Sequence, residues 1–172
     1  MSNETDEGFE LPRWCPDPLE GESIASYLVR FRSQEVSAMS TIGSLSRELR
    51  LGTALGRWEK FRFNPFPSVQ EIELFCNRLG LEVEKLIPTF PSKEQKMKLE
   101  PIRLCASCYA DAPYHRLEWQ FKAIAGCHRH QVRLLHKCPS CERLFSIPEL
   151  ITEEKCKCGM YFRRMSRHQK RF

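Results

Sequence analysis

Seven of the nine cysteines fall between residues 105 and 158, six of them in close pairs and the seventh paired with a histidine. Cys105-x2-Cys108 is followed, after eighteen residues, by Cys127-x2-His130. Cys138-x2-Cys141 is followed, after fourteen residues, by Cys156-x-Cys158. A CxxC turn folds back in a tight knuckle that brings two thiolates to one point, and a second pair completes a tetrahedron around Zn²⁺. Two such sets so close together predict two structural zinc ions, each with four protein ligands. Pairing in tandem gives a site of three cysteines and one histidine, then a site of four cysteines. Tandem pairing has the shorter loops, although the spacing also allows a cross-braced arrangement. His128 and His136 are rival candidates for the fourth ligand of the first site, while His130 fits the CxxH spacing. Cys76 reads as a small core residue and Cys15 as unpartnered.

Full four-ligand sites leave no position for a reacting water, as catalytic zinc requires. A zinc deaminase would need His-x-Glu and Pro-Cys-x-x-Cys. Here His115-x-x-Glu118 has the wrong spacing, and Lys137 precedes Cys138. A redox CxxC would need a βαβ setting that is absent. No nucleophile elbow, Gly-rich phosphate loop or framed carboxylate pair occurs, so neither an enzyme nor a small-molecule substrate is expected. The metal instead substitutes for a core that so short a segment cannot build, at about 10–16 kcal/mol per structural site. No apolar run approaches the ~20 residues of a membrane span. The acidic start Met1-Ser2-Asn3-Glu4-Thr5-Asp6-Glu7 lacks the basic and apolar regions of a signal peptide, so a cytoplasmic location is expected.

Charge divides the chain where the cysteines do. Of 27 Lys+Arg and 22 Asp+Glu in 172 residues, residues 1–100 carry a net −3 and residues 101–172 a net +8. The expected organisation is a Pro-rich extended strap over 1–20, a helical domain over 21–100, a tandem zinc module over 101–162 and a basic tail over 163–172. The fold class is α+β, mainly α.

Within the first half, Pro12, Pro16 and Pro18 keep the strap extended, and Trp14 either pins it or offers an anchor to a partner. Ser23 is a good N-cap for a helix whose Ile24, Tyr27, Leu28 and Phe31 form one apolar stripe, with Arg30 and Arg32 off it, facing solvent or a ligand. A second helix is expected from about Thr41 to Leu51. Arg57-Trp58-Glu59-Lys60-Phe61-Arg62-Phe63 interleaves basic and aromatic groups, which either stack on bases while pairing with phosphates or bury the rings and leave the charges outside. Ser68-Val69-Gln70-Glu71 is a capping box, and Gly80 ends that helix as a C′ glycine. A short helix from about Glu82 to Ile87 follows, giving the layout of a helix-turn-helix. Its Glu82 and Glu84 would repel phosphate, which favours packing or protein contact over groove reading. In the tail, Arg163, Arg164, Arg167, Lys170 and Arg171 stand without an acid. The tail reads as a solvated run or as a disordered arm that docks on phosphates.

Leu11-Pro12, then Pro18-x2-Gly21-Glu22-Ser23-Ile24-x-Ser26-x-Leu28-x-Arg30, resembles the opening of the TniQ family. So do Arg103-x-Cys105-x2-Cys108, Tyr114, Trp119, Cys127-x2-His130-x3-Leu134 and Cys138-Pro139-x-Cys141. The resemblance implies a non-enzymatic target-selection adaptor of a bacterial transposon. Its length is similar to that of the short form found with type V CRISPR effectors. There the adaptor joins effector, guide RNA and target DNA to a TnsC-like AAA+ ATPase. The family's metal pattern carries over to the eight ligands named above. Trp14, Arg30, Arg32, Arg57, Arg62 and the five tail cations are the candidate contacts to nucleic acid or partner. The alternative is a zinc-stabilised helix-turn-helix transcription regulator.

Overall fold

The computed structural model describes residues 15–34 and 41–172. Trp14 and residues 1–13 of the expected strap lie outside them. Helix α1 (Ile24–Arg32) starts where Ser23 Oγ accepts the Ser26 N–H at 3.2 Å. The sequence predicts one buried stripe, but every α1 residue from Ile24 to Val29 is buried, and so is Phe31. The reason is that α1 lies between two walls. Ile24, Tyr27, Leu28 and Phe31 enter a core shared with α2 (Ile42–Glu48), α3 (Ala54–Glu59) and α4 (Val69–Leu79). Ala25 and Val29, on the other flank, meet Phe61 and Ile147 of α7 (Ile147–Thr152).

The interleaved segment divides between the two readings. Trp58 is fully buried, edge-on to Phe75 at 6.0 Å and Phe90 at 5.1 Å between centroids, and Phe61 is buried too. Phe61 packs against distant residues, Ile147 and His115, while Phe63 and Phe66 stay half-buried. Both halves of the Ser68/Glu71 capping box form, and Gly80 closes α4 with φ +67°. After it α5 (Val83–Leu86) lasts one turn and passes into a 3₁₀ turn over Ile87–Thr89, where Pro88 has no N–H to continue an α-helix.

The second half gathers around α6 (Ala106–Asp111) and the antiparallel pair β1 (Gly126–Cys127) and β2 (Val132–Arg133). The expected disordered arm is corrected here. A 3₁₀ helix over Phe162–His168 buries Phe162 and Met165, and Phe162 stands edge-on to Tyr109 of α6 at 5.7 Å. Lys170 C=O accepts the Arg133 N–H at 2.7 Å, and Arg171 makes an isolated bridge with Val132, so the tail is tied along the two-stranded hairpin. Apolar Met165 and Phe162 outweigh the charge run as determinants of its conformation. The five tail cations are exposed on this folded ridge.

A backbone seam ties the halves together. Leu117 N–H donates to Gly21 C=O at 2.9 Å and Ser23 N–H to His115 C=O at 3.0 Å. Tyr114 Oη donates to Glu20 C=O at 2.7 Å. The imidazole of His115 is fully buried between Phe61 and Trp119, with Nδ1 3.0 Å from Ser23 Oγ. Burial holds its pKa down at about 3, against about 6.5 for an unfolded histidine; Arg103 is the charged neighbour acting in the same direction. Below pH 6.5 the unfolded chain takes up a proton that the fold excludes. Stability therefore falls from about pH 6.5 down to about pH 3, by up to ~1.4 kcal/mol per pH unit. His115→Asn keeps a polar atom near the Nδ1 position and removes the titration. The wild-type stability advantage over this variant should be about 1 kcal/mol smaller at pH 5.5 than at pH 7.5. Urea unfolding at both pH values in excess zinc reads this, and a pH-independent difference refutes it. Among the described residues, no helix is long and apolar enough to cross a membrane.

Candidate metal centres

The first cluster is built from a helix start and a hairpin. Cys105 is the residue preceding α6 and Cys108 lies in its first turn. Cys127 is in β1, and His130 sits in the turn before β2, which Gln131 closes at φ +53°. Facing each other, these elements bring Cys108 Sγ to 3.5 Å from Cys127 Sγ. His130 Nδ1 lies 3.2 Å from Cys108 Sγ and 3.7 Å from both Cys105 Sγ and Cys127 Sγ.

The second cluster pairs two hairpin knuckles. Lys137 bridges Leu144 around the first and Lys155 bridges Tyr161 around the second. Cys138 N–H donates to Arg143 C=O, while Glu142 at φ +59° and Gly159 at φ +90° make the reversals. Cys138 Sγ stands 3.7 Å from Cys158 Sγ and Cys141 Sγ 3.6 Å from Cys156 Sγ.

Within each cluster all four donor atoms lie within 4.8 Å of one another. A tetrahedron with metal–sulfur bonds of ~2.3 Å has sulfur–sulfur edges of about 3.8 Å, so the donor sets fit one ion each. The grouping is tandem, with cross-bracing excluded by position; His128 and His136 are exposed and belong to neither cluster. Without an ion, burial raises the Cys108 thiol and pushes Cys156 up to about 12. A cation is what makes such close thiolates tolerable. Seven thiolates and two divalent ions would lower the net charge of residues 101–172 from +8 to +5. Part of the basic excess therefore offsets the clusters themselves.

Several supporting residues carried no signal in spacing. Asp111 Oδ2 faces His130 Nε2 at 3.7 Å and pairs with Arg129 at 3.2 Å, a carboxylate behind the imidazole that favours Nδ1 as the ligand atom. Gln169 Oε1 accepts the Ala106 N–H at 2.9 Å, and its Nε2 donates to Arg133 C=O at 2.8 Å. This side chain clasps the first knuckle to the hairpin. Buried Arg103 donates through Nη2 to Phe121 C=O at 2.6 Å and through Nη1 to Ile124 C=O, shaping the loop that leads into Cys127.

The candidate contact residues are placed as follows. Arg30 does not face solvent or a ligand: Nε and Nη2 lie 3.0 and 2.7 Å from the oxygens of buried Glu22. Arg32 donates to Glu59 at 2.6 Å and to Leu28 C=O. Arg57 pairs with Glu71 at 3.1 Å and donates to Pro65 C=O. Unpaired burial of a carboxylate is costly, and the arginines answer it. Arg62 and the tail cations remain exposed.

The sequence pattern and this placement agree with a known family. A model of the TniQ family matches residues 13–134. The chain belongs to the TniQ family. Membership associates the protein with DNA transposition. The matched span includes the first candidate cluster and stops before Cys138, so the second lies beyond it. No curated protein matches the chain. The Gly21-Glu22-Ser23 run of the TniQ opening now has a physical account. Gly21 at φ +69° takes the turn, Glu22 receives Arg30, and Ser23 caps α1 and reaches His115.

Proposed function

We propose that this TniQ protein is a non-enzymatic adaptor in RNA-guided DNA transposition. It bridges a type V CRISPR effector with guide RNA and target DNA to a TnsC-like AAA+ ATPase. Family membership over residues 13–134 carries the reading. Two features support it. Each cluster supplies four protein donors, a full set for Zn²⁺ in a structural role. The bound zinc supplies rigidity, and Asp111, Gln169 and Arg103 orient the ligands and their loops. The Arg163, Arg164, Arg167, Lys170 and Arg171 ridge is exposed on a folded surface, suited to phosphate or to an acidic partner. In this reading α4, the Gly80 turn and α5 form a helix-turn-helix used for protein contact. A groove-reading transcription regulator is less favoured, because α5 is four residues long and carries Glu84.

The test is reconstitution with a TnsC-like ATPase and a guide-loaded type V effector. The ATPase should co-sediment with the guide-loaded, target-bound effector only when the zinc-loaded protein is present. Equal co-sedimentation without it overturns the adaptor role.

A further inference from the structure

Three recesses share Arg62, and two of them are free of carboxylates. The first, of about 610 Å³, lies between α2 and α3 and is lined by Arg47, Lys60 and Arg62, with Gly43, Gly52 and Gly56 contributing no side chain. The second, of about 400 Å³, is lined by Arg62, half-buried Phe63 and Phe66, and Lys93, whose ammonium lies 5.9 Å from the Phe66 ring centroid. Neither recess is lined by a carboxylate. Of the nearby acids, Glu59 is engaged by Arg32 and Glu71 by Arg57, while Glu100 lines, with Glu59, the neighbouring recess that shares Lys60 and Arg62. Arg47, Lys60 and Arg62 make no ion pair with another described residue, and all three are exposed.

We infer that these two recesses form one groove for an unpaired RNA strand. The inference rests on the adaptor reading and names a surface for its nucleic-acid partner. A floor of glycines lets a backbone approach closely, and a trench with cations alone suits one phosphate per nucleotide. Half-exposed rings beside a cation suit unstacked bases, whereas a duplex keeps its bases inside. Thr53 in the first recess and Asn64 in the second are exposed, and their side chains make no hydrogen bond within the described chain. These uncharged polar groups can address the 2′-hydroxyl, which separates RNA from DNA.

The test is fluorescence anisotropy of the zinc-loaded protein with a mixed-sequence RNA strand of about twelve nucleotides, the length order of a short single-strand site. A Cβ at Gly56 meets nothing within 4 Å and no positive φ is required there, so Gly56→Leu fills the trench without a clash inside the protein. It also raises helix propensity. Gly56→Leu should weaken RNA binding about tenfold, with the melting temperature no lower than wild type. Arg47→Gln, Lys60→Gln and Arg62→Gln together should flatten the log–log salt slope by about 2, the value for three phosphates on a single strand. Phe66→Leu should cost about fivefold or more. DNA of the same sequence should bind at least about threefold more weakly than the RNA, through loss of the 2′-hydroxyl contacts.

Wild-type affinity in Gly56→Leu, equal affinity for DNA, tighter binding of the duplex, or equal competition by polyglutamate overturns the groove. RNA binding through the groove without ATPase bridging would instead defeat the adaptor reading alone. Bridging with groove-independent RNA binding would defeat this inference alone.

Discussion

Cys108→Ser should bind one metal ion instead of two and lose the cooperative unfolding of residues 101–172. The thiol it removes lies within 3.5 Å of two other donors of its cluster and is 2% exposed, so no water can take its place in the coordination sphere. A structural zinc contributes about 10–16 kcal/mol, while the whole fold is stable by only about 5–15 kcal/mol. Loss of that ion exceeds what the surrounding apolar residues supply. Leu104, Trp119, Phe145 and Phe162 form one cluster with the buried ligand cysteines, so they separate when the ligands do. Elemental analysis gives the metal count and near-ultraviolet circular dichroism follows Trp119. Two ions retained and an unchanged melt would refute a structural role for this centre. Chelation of the wild-type protein should reproduce the loss.

Glu22→Ala should cost about 3 kcal/mol, the lower end of the range for breaking a buried ion pair from one side. Glu22 is fully buried and its carboxylate accepts four hydrogen bonds, from Leu19 N, Ser26 Oγ and two nitrogens of Arg30. Alanine leaves all four donors without that partner. The Arg30 side chain is 20% exposed and can recover some hydration, which is why the upper end is not expected. For a chain of this size that corresponds to a fall of roughly 6–12 °C in melting temperature. Glu22→Gln preserves the shape and part of the bonding, so it should fall between the two. A melt of Glu22→Ala within 1 °C of wild type would mean that the carboxylate carries none of this energy.

How much of this was legible beforehand depended on whether the cause was local. The two four-residue clusters were readable because a knuckle fixes its own spacing: residues two or three apart come to one point. The capping box at Ser68 and the Gly80 terminus were readable for the same reason. Arg30 and Arg32 were misplaced because periodicity does not show the Glu22 and Glu59 carboxylates that hold them. The burial of Ala25 and Val29 was missed because helical periodicity knows only one wall. α1 has two, and the second, formed by Ile147 and Phe61, comes from distant sequence. Glu22 was visible only as part of a family-like run, since nothing in its neighbourhood announces a buried carboxylate. The tail was misread because five cations dominate its composition, while Phe162, Met165 and Gln169 decide its position. His115 gave no sign at all: its significance is a contact with Ser23, 92 residues away.

That separation bears on how the protein is made. A ribosome adding about 5–20 residues per second releases α1 several seconds before the segment that seals its second flank. Until His115, Leu117 and α7 emerge, Ala25 and Val29 have no wall to rest against, and Ser23 has only its own helix to bond. The nascent chain therefore carries a sticky, half-finished helix through much of its synthesis. Its closure waits on a downstream module built around two candidate metal clusters, so metal binding there would also set when the first helix of the protein is sealed.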